Sequence, residues 1–156
     1  MGTHDHVKAS FAALDVREHF WGIALKPGKP TWFGTHGEKL VFGLPGNPVS
    51  AMVTFALLVA PALRALQGEA DASRRSYATL TEAYRKPGDR AHAVRCRLRL
   101  GAHGWQAQPT GDQRSHILSS MLGADALALI PTDATFLDAG ERVEVLLLEG
   151  AYPTLR

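Results

Sequence analysis

Residues 40–63 read LVFGLPGNPVSAMVTFALLVAPAL, a run with no charged side chain, broken near its start by Pro45-Gly46-Asn47-Pro48 and followed by Ser50. A membrane-spanning helix needs ~20 apolar residues in succession. The Pro-Gly-Asn-Pro break divides this run, and the stretch after it, Pro48 to Gln67, contains Ser50, Thr54 and Pro61. The run therefore reads as a strand (Leu40–Phe42), a tight turn and the buried helix of a soluble α/β domain, not as a membrane span. Asn47 suits the N-cap, and Pro48 suits the first helical position, where its missing N–H costs nothing. Gly46 permits close approach of a backbone or ligand. The free N–H groups of that first turn, with the Ser50 hydroxyl, make an anion-ready helix start. The competing reading is a capped helix that binds nothing.

Upstream, His6–Leu14 predicts a short helix with Val7, Phe11 and Leu14 on one face, and Glu18–Leu25 predicts a strand. LKPGKP at 25–30 is then a turn, with Lys26 and Lys29 held on a loop restricted by Pro27 and Pro30. Thr31–Gly34 and Lys39–Phe42 predict two further strands joined around His36-Gly37. Strands mixed with helices predict an α/β domain, here its C-terminal half, over residues 1–72.

Residues 73–156 differ: they hold ten Arg and one Lys, with shorter strand-like segments. In Val94–Leu100 apolar residues alternate with Arg95, Arg97 and Arg99, which predicts a half-buried strand with a basic outer face. A turn at 101–104 and strands at Trp105–Pro109, Ala126–Ile130 and Arg142–Leu148 predict a small all-β barrel.

Composition narrows the function. The chain has 156 residues, 46% hydrophobic and 21% charged, with a net charge of +2, which suits a folded soluble protein and signals neither nucleic acid nor membrane. Its one cysteine, Cys96, excludes an internal disulfide and a cysteine-based zinc cluster and fits a reducing cytoplasm. MGTHDHVKAS lacks a signal-peptide layout. Two lysines on a rigid loop near an anion-ready helix start suit an oxyanion or phosphate. His4-Asp5-His6 admits a metal reading, set against Asp5 as a helix cap. The basic residues Arg85, Lys86, Arg90, Arg95, Arg97 and Arg99 admit a nucleic-acid face, set against a solvated strand.

Taken in order, MGTHDHVK (1–8), FWGIALKPGKPTWFG (20–34), FGLPGNPVSA (42–51) and TGDQRSHILSS (110–120) resemble the C-terminal part of the molybdopterin molybdenumtransferase family, the MoeA-type proteins and the gephyrin E domain. The resemblance spans essentially the whole chain. It implies the second half of a three-layer molybdopterin-binding α/β domain (1–72) and a complete β-barrel domain (73–156). Met1-Gly2 look like the end of the family's Gly-Gly-Val-Ser loop, so the start is expected to fall inside a motif.

The activity implied is insertion of molybdate into adenylylated molybdopterin with Mg²⁺ and release of AMP, by a cytoplasmic homodimer acting on small molecules. By resemblance, Asp5 is catalytic and associated with the metal, and Lys26 and Lys29 are catalytic lysines near the molybdate. Pro45, Gly46, Asn47, Pro48 and Ser50 line the same pocket, and Arg95 and Ser115 approach the oxyanion. Lysines, helix N–H groups and hydroxyls suit a tetrahedral dianion, as carboxylates suit Mg²⁺. Gly22 departs from relatives that carry a lysine there. Without the family's upstream domains the chain alone is expected to bind an anion weakly and catalyse poorly. The alternative function is a non-catalytic binding or assembly module.

Overall fold

The computed structural model describes residues 7–69 and 74–148. Asp5 and the His4-Asp5-His6 tripeptide, like Met1-Gly2, lie outside the described residues. Helix α1 (Val7–Ala13) leads into strands β1 (Arg17–Trp21), β3 (Trp32–His36) and β4 (Lys39–Gly43), which form an antiparallel sheet ordered β1-β3-β4. Aromatic side chains hold it: Phe33 lies 4.9 Å from Phe42 and 5.6 Å from Phe20, and Phe11 of α1 lies 4.6 Å from Trp32, all ring centroid to centroid.

The strand predicted over Glu18–Leu25 is two pieces. β1 stops at Trp21, because Gly22 takes φ +84°, a left-handed conformation that costs glycine little. The chain then loops back on itself, with Gly22 N–H donating to Thr31 O (2.8 Å) and Ile23 N–H to Lys29 O (2.9 Å). Leu25–Lys26 (β2) leaves this sheet and joins the barrel, pairing in parallel with β7 (Ala91–Gly101).

The second part contains β5 (Arg75–Leu80), β6 (Tyr84–Arg85), β7, β8 (Gly104–Pro109), β9 (Ala126–Ile130), β10 (Phe136–Leu137) and β11 (Arg142–Leu147). The order β7-β8-β5-β11-β9 closes on itself through β7–β9, giving a five-stranded barrel that leaves no open sheet edge in the ring. β6 and β10 form a separate short ribbon. Strand alternation sends Val94, Cys96 and Leu98 of β7, Ala126, Ala128 and Ile130 of β9, and Val143 and Val145 of β11 into the barrel core.

The opposite parity of the same strands is buried too. Ala93, Leu127 and Leu146 pack under Val49 and Val53 of helix α2 (Pro48–Thr54). Burying each valine fully contributes roughly 1.5–3 kcal/mol. That second layer covers Ala93, and the 110–121 segment covers Arg95, so residues 92–96 of β7 are buried without interruption.

Helix α2 continues through a π-helical turn (Phe55–Val59) into α3 (Ala60–Leu66). The whole helix, Pro48–Leu66, is long and apolar enough to cross a membrane by length and composition. Its Val49, Val53 and Ala60 are nevertheless buried, while Met52, Phe55, Leu63 and Leu66 are exposed. The helix thus buries one apolar face and leaves a second apolar face exposed.

Candidate functional site

The turn that opens helix α2 folds as its residue types require. Asn47 is extended (φ −74°, ψ 124°) and its side-chain oxygen accepts from Ser50 N–H at 3.2 Å. The Ser50 hydroxyl also leans on Asn47 Oδ1, at 3.5 Å, and Ser50 is buried. The cap and first-position proline are therefore as expected. Of the expected anion donors, Pro48 has no N–H and Ser50 spends both of its donors on Asn47. Pro45 is buried and Gly46 and Pro48 are exposed, so these residues shape the turn more than they arm it.

LKPGKP does meet this helix. Pro27 and Gly28 are buried, and Gly28, at φ +133°, faces Thr54. Thr54 is fully buried, its hydroxyl donating to Ser50 O at 2.8 Å, and Leu25 packs on the Val49–Val53 cluster. Thr31 closes the loop from inside by donating its hydroxyl to Gly28 O at 2.7 Å. With the loop clamped from both sides, Lys29 is exposed and Lys26 is half-buried, and neither ammonium group makes a hydrogen bond or ion pair with a described residue.

A cavity of about 230 Å³ lies beside the loop, lined by Lys8, Trp21, Pro30, Trp32, Gly43 and Leu44 among others. It joins the end of LKPGKP to the strand entering GLPGNP. Lys8 stands 5.6 Å from the Trp21 ring centroid and 3.1 Å from Glu18. Trp32 Nε1–H donates to Glu18 Oε2 at 2.8 Å, and this bond, followed by the one from Lys8, holds the Glu18 carboxyl below the usual carboxylate range.

Arg95 is not on a basic outer face. It is 1% exposed, because the 110–121 segment folds over its side of β7. Nε and one terminal nitrogen donate to Ser120 Oγ at 3.1 and 2.9 Å, and the same terminal nitrogen reaches Asp112 O and Arg114 O, both at 3.4 Å. Its backbone is bound as well: Gln113 Oε1 accepts from Arg95 N–H (2.9 Å), and Thr110 N–H donates to Arg95 O (2.9 Å). Burial lowers the guanidinium pKa, and the facing carbonyls and Ser120 hydroxyl compensate that cost. Arg97 and Arg99 are the exposed arginines of the strand.

Ser115 is half-buried within the segment that Arg95 fixes, and no hydrogen bond joins it to Lys26, Lys29 or the Pro45–Ser50 turn. The structure thus packs the lysine loop on helix α2 at Thr54 and pairs Lys26 with the strand that carries Arg95, while Ser115 lies in the segment folded over that strand; no hydrogen bond or ion pair among the described residues joins either lysine to the Asn47 cap. Ser120 and His92 carry interactions that the sequence reading did not assign. Ser120 had no signal of its own among the hydroxyls of TGDQRSHILSS. His92 carried no signal of its own, lying two residues before the alternating stretch Val94–Leu100.

Among the described residues, no three His, Cys, Asp or Glu side chains are grouped to hold a metal ion.

A three-stranded antiparallel sheet with helices, its lysine loop packed on helix α2 at Thr54, is followed by a closed five-stranded barrel, the architecture of an α/β unit joined to a small β-barrel. Comparison with known proteins identifies it. Residues 1–65 match the family described as a probable molybdopterin binding domain, and residues 77–148 match the MoeA C-terminal region (domain IV). The chain is 37% identical over 147 residues to the molybdenum cofactor synthesis protein cinnamon of Drosophila melanogaster, covering 90% of this chain and 24% of that protein. It is 33% identical over 148 residues to the molybdopterin molybdenumtransferase of Haemophilus influenzae, covering 93% and 36%. The solved molybdopterin biosynthesis MoeA protein of Pyrococcus horikoshii OT3 superposes with a TM-score of 0.70 at 29% identity, covering 89% of this chain and 34% of that one. The chain belongs to the MoeA-type molybdopterin molybdenumtransferase family, and it spans between about a quarter and just over a third of the length of these relatives.

Proposed function

We propose that this chain supplies the oxyanion-holding part of a molybdenum-inserting transferase, acting on molybdate and adenylylated molybdopterin with release of AMP. One observation carries this reading: Lys26 and Lys29, unpaired among the described residues, sit on a loop clamped against helix α2 through Gly28 and Thr54. Two ammonium groups on a pre-set loop suit a tetrahedral dianion at little ordering cost. Lys26 and Lys29 hold the oxyanion, and Pro45, Gly46, Asn47, Pro48 and Ser50 keep the neighbouring turn in shape. Arg95 acts as a positioning residue for the segment that carries Ser115. Asp5 remains the residue proposed to meet Mg²⁺, on resemblance alone.

The domain division proposed is 1–72 and 73–156. The assembly proposed is a cytoplasmic homodimer that does not engage membrane or nucleic acid. The exposed apolar flank of the long helix (Met52, Phe55, Leu63) supports pairing with another copy.

The test is calorimetric titration of the chain with tungstate or molybdate, beside a Lys26→Ala/Lys29→Ala variant. Saturable binding that the double variant loses supports the reading. Equal binding by both proteins removes the lysine loop from the site.

A further inference from the structure

His92 is 3% exposed, and its Nε2 has no hydrogen-bond partner. Its other ring nitrogen, Nδ1, lies 2.9 Å from Tyr84 Oη. A buried imidazole nitrogen left unpaired is uncommon, and its surroundings make it more so. His92 is the register partner of Lys26 across the parallel β2–β7 pairing, which puts the two side chains on one face of the sheet. Lys86 and Arg90 complete a cationic ring, and no carboxylate contributes to the field at the imidazole.

The three cations differ in what they have left to give. Lys86 Nζ donates to three carbonyls, Gly88 O (2.8 Å), Arg90 O (3.0 Å) and Thr132 O (3.1 Å), so it supplies positive potential and no free proton. Arg90 makes one long contact, Nη1 to Leu25 O at 3.5 Å, and keeps its other N–H groups. Lys26 has no bonded partner among the described residues. With Tyr84 Oη donating to Nδ1, the tautomer assigned here, the ring proton sits on Nε2, which has no bonded acceptor.

We propose that His92 is a ligand-facing member of the Lys26 site, its Nε2 joining Lys26 and Arg90 around one tetrahedral oxyanion of the sulfate, phosphate or molybdate class. The proposal rests on the reading of Lys26 as an oxyanion ligand and extends it to two residues on the barrel side.

A pH linkage follows. In the empty site, burial first, then Lys26, Lys86 and Arg90, push the His92 pKa down to about 4, while the Pro87 carbonyl pulls weakly upward without bonding Nε2. An anion in the ring offsets the cations and favours the imidazolium. By reciprocity, each unit by which the anion raises that pKa gives up to about tenfold tighter anion binding once His92 is protonated.

The experiment is an NMR titration of the His92 ring nitrogens in the intact chain between pH 7.5 and 3, with and without saturating sulfate, which stays predominantly a dianion over that range. The expected result is an upward move of the His92 midpoint by one unit or more with sulfate, abolished by Lys26→Ala. Sulfate affinity should rise as pH falls, and His92→Gln, which keeps a donor but cannot titrate, should flatten that rise. If sulfate binds and Lys26→Ala abolishes binding while His92 stays unmoved, the lysine reading stands and this proposal falls, leaving a buried water as the partner of Nε2. If no sulfate binds, both fall. The wild-type titration decides even where a variant fails to fold.

Discussion

A Cβ built on Gly28 would lie 2.5 Å from Thr54 Cγ2, so the lysine loop and helix α2 touch through the one residue that brings no side chain of its own. Leu25 Cδ2 would be 3.3 Å away, and φ at Gly28 is +133°. Thr54 cannot swing aside cheaply, because its hydroxyl is bound to Ser50 O and Ala51 O within a fully buried position. Gly28→Ala therefore meets both a clash and a strained backbone, and should cost about 2–4 kcal/mol in urea unfolding. Adding Thr54→Ser removes the opposing methyl and should recover part of the loss, leaving the backbone component. A single Gly28→Ala variant as stable as wild type would show that the loop does not rest on the helix.

The cap at the same helix separates shape from binding. Asn47→Ala removes the acceptor of Ser50 N–H and should lower stability by about 1 kcal/mol, while Asn47→Asp retains the cap. If Asn47 acts on the turn and not on the ligand, tungstate affinity of the folded Asn47→Ala protein should stay within about twofold of wild type, well under the effect of losing a charged ligand contact. A tenfold loss of affinity at unchanged fold would make Asn47 a direct ligand.

The contrast between Asn47 and Arg95 shows how far the sequence could be read. Asn47-Pro48 is a local signal, since the cap bond spans three residues, and it appears in the structure as expected. The barrel strand over Val94–Leu100 was likewise visible in its alternation. Arg95 obeys the same alternation, yet the residues that bury it lie 15 to 25 positions further along the chain. Period-two patterning tells which side of a strand a residue occupies, not what covers that side. Leu25–Lys26 was missed as a barrel strand for a related reason: two residues carry no periodicity, and their partner Ala91-His92 is far away in sequence. The lysine loop was readable as a candidate site because its residue types and prolines are contiguous. His92 was not, because Lys26 reaches it only through the β2–β7 pairing, across more than sixty residues of sequence.

His92 also sets a pH dependence of stability in oxyanion-free buffer. Its folded pKa of about 4 lies below its ordinary value of 6.5, so between these values the unfolded chain binds more protons than the folded one. The contribution is complete above pH 6.5 and is lost as pH falls toward 4, on the order of 2–3 kcal/mol across that window. Glu18 and Asp112 have lowered carboxyl pKa values and act below the same window. Urea midpoints measured from pH 7 to 4 should therefore decline, and His92→Gln should decline less. Parallel curves for the two proteins would mean that His92 does not titrate as a buried neutral group.

Arg95 and Ser120 should behave as a coupled pair. Arg95 donates twice to Ser120 Oγ, and Ser120 in turn donates to Ile117 O at 2.6 Å, while Thr110 Oγ1 donates to Ser120 O at 2.6 Å. Removing the guanidinium empties a fully buried volume and leaves the Asp112 and Arg114 carbonyls without that donor. Arg95→Ala should cost about 3–5 kcal/mol and Ser120→Ala about 1–3 kcal/mol. Once Arg95 is gone, Ser120 has lost its main partner, so the double variant should fall short of the sum by about 1 kcal/mol or more. Arg95→Lys retains the charge but cannot present two donors to one oxygen in the same geometry, and should recover only a minority of the loss. Strict additivity in the cycle, or full recovery by lysine, would show that charge alone, and not the two-pronged contact to Ser120, holds the 110–120 segment against the barrel.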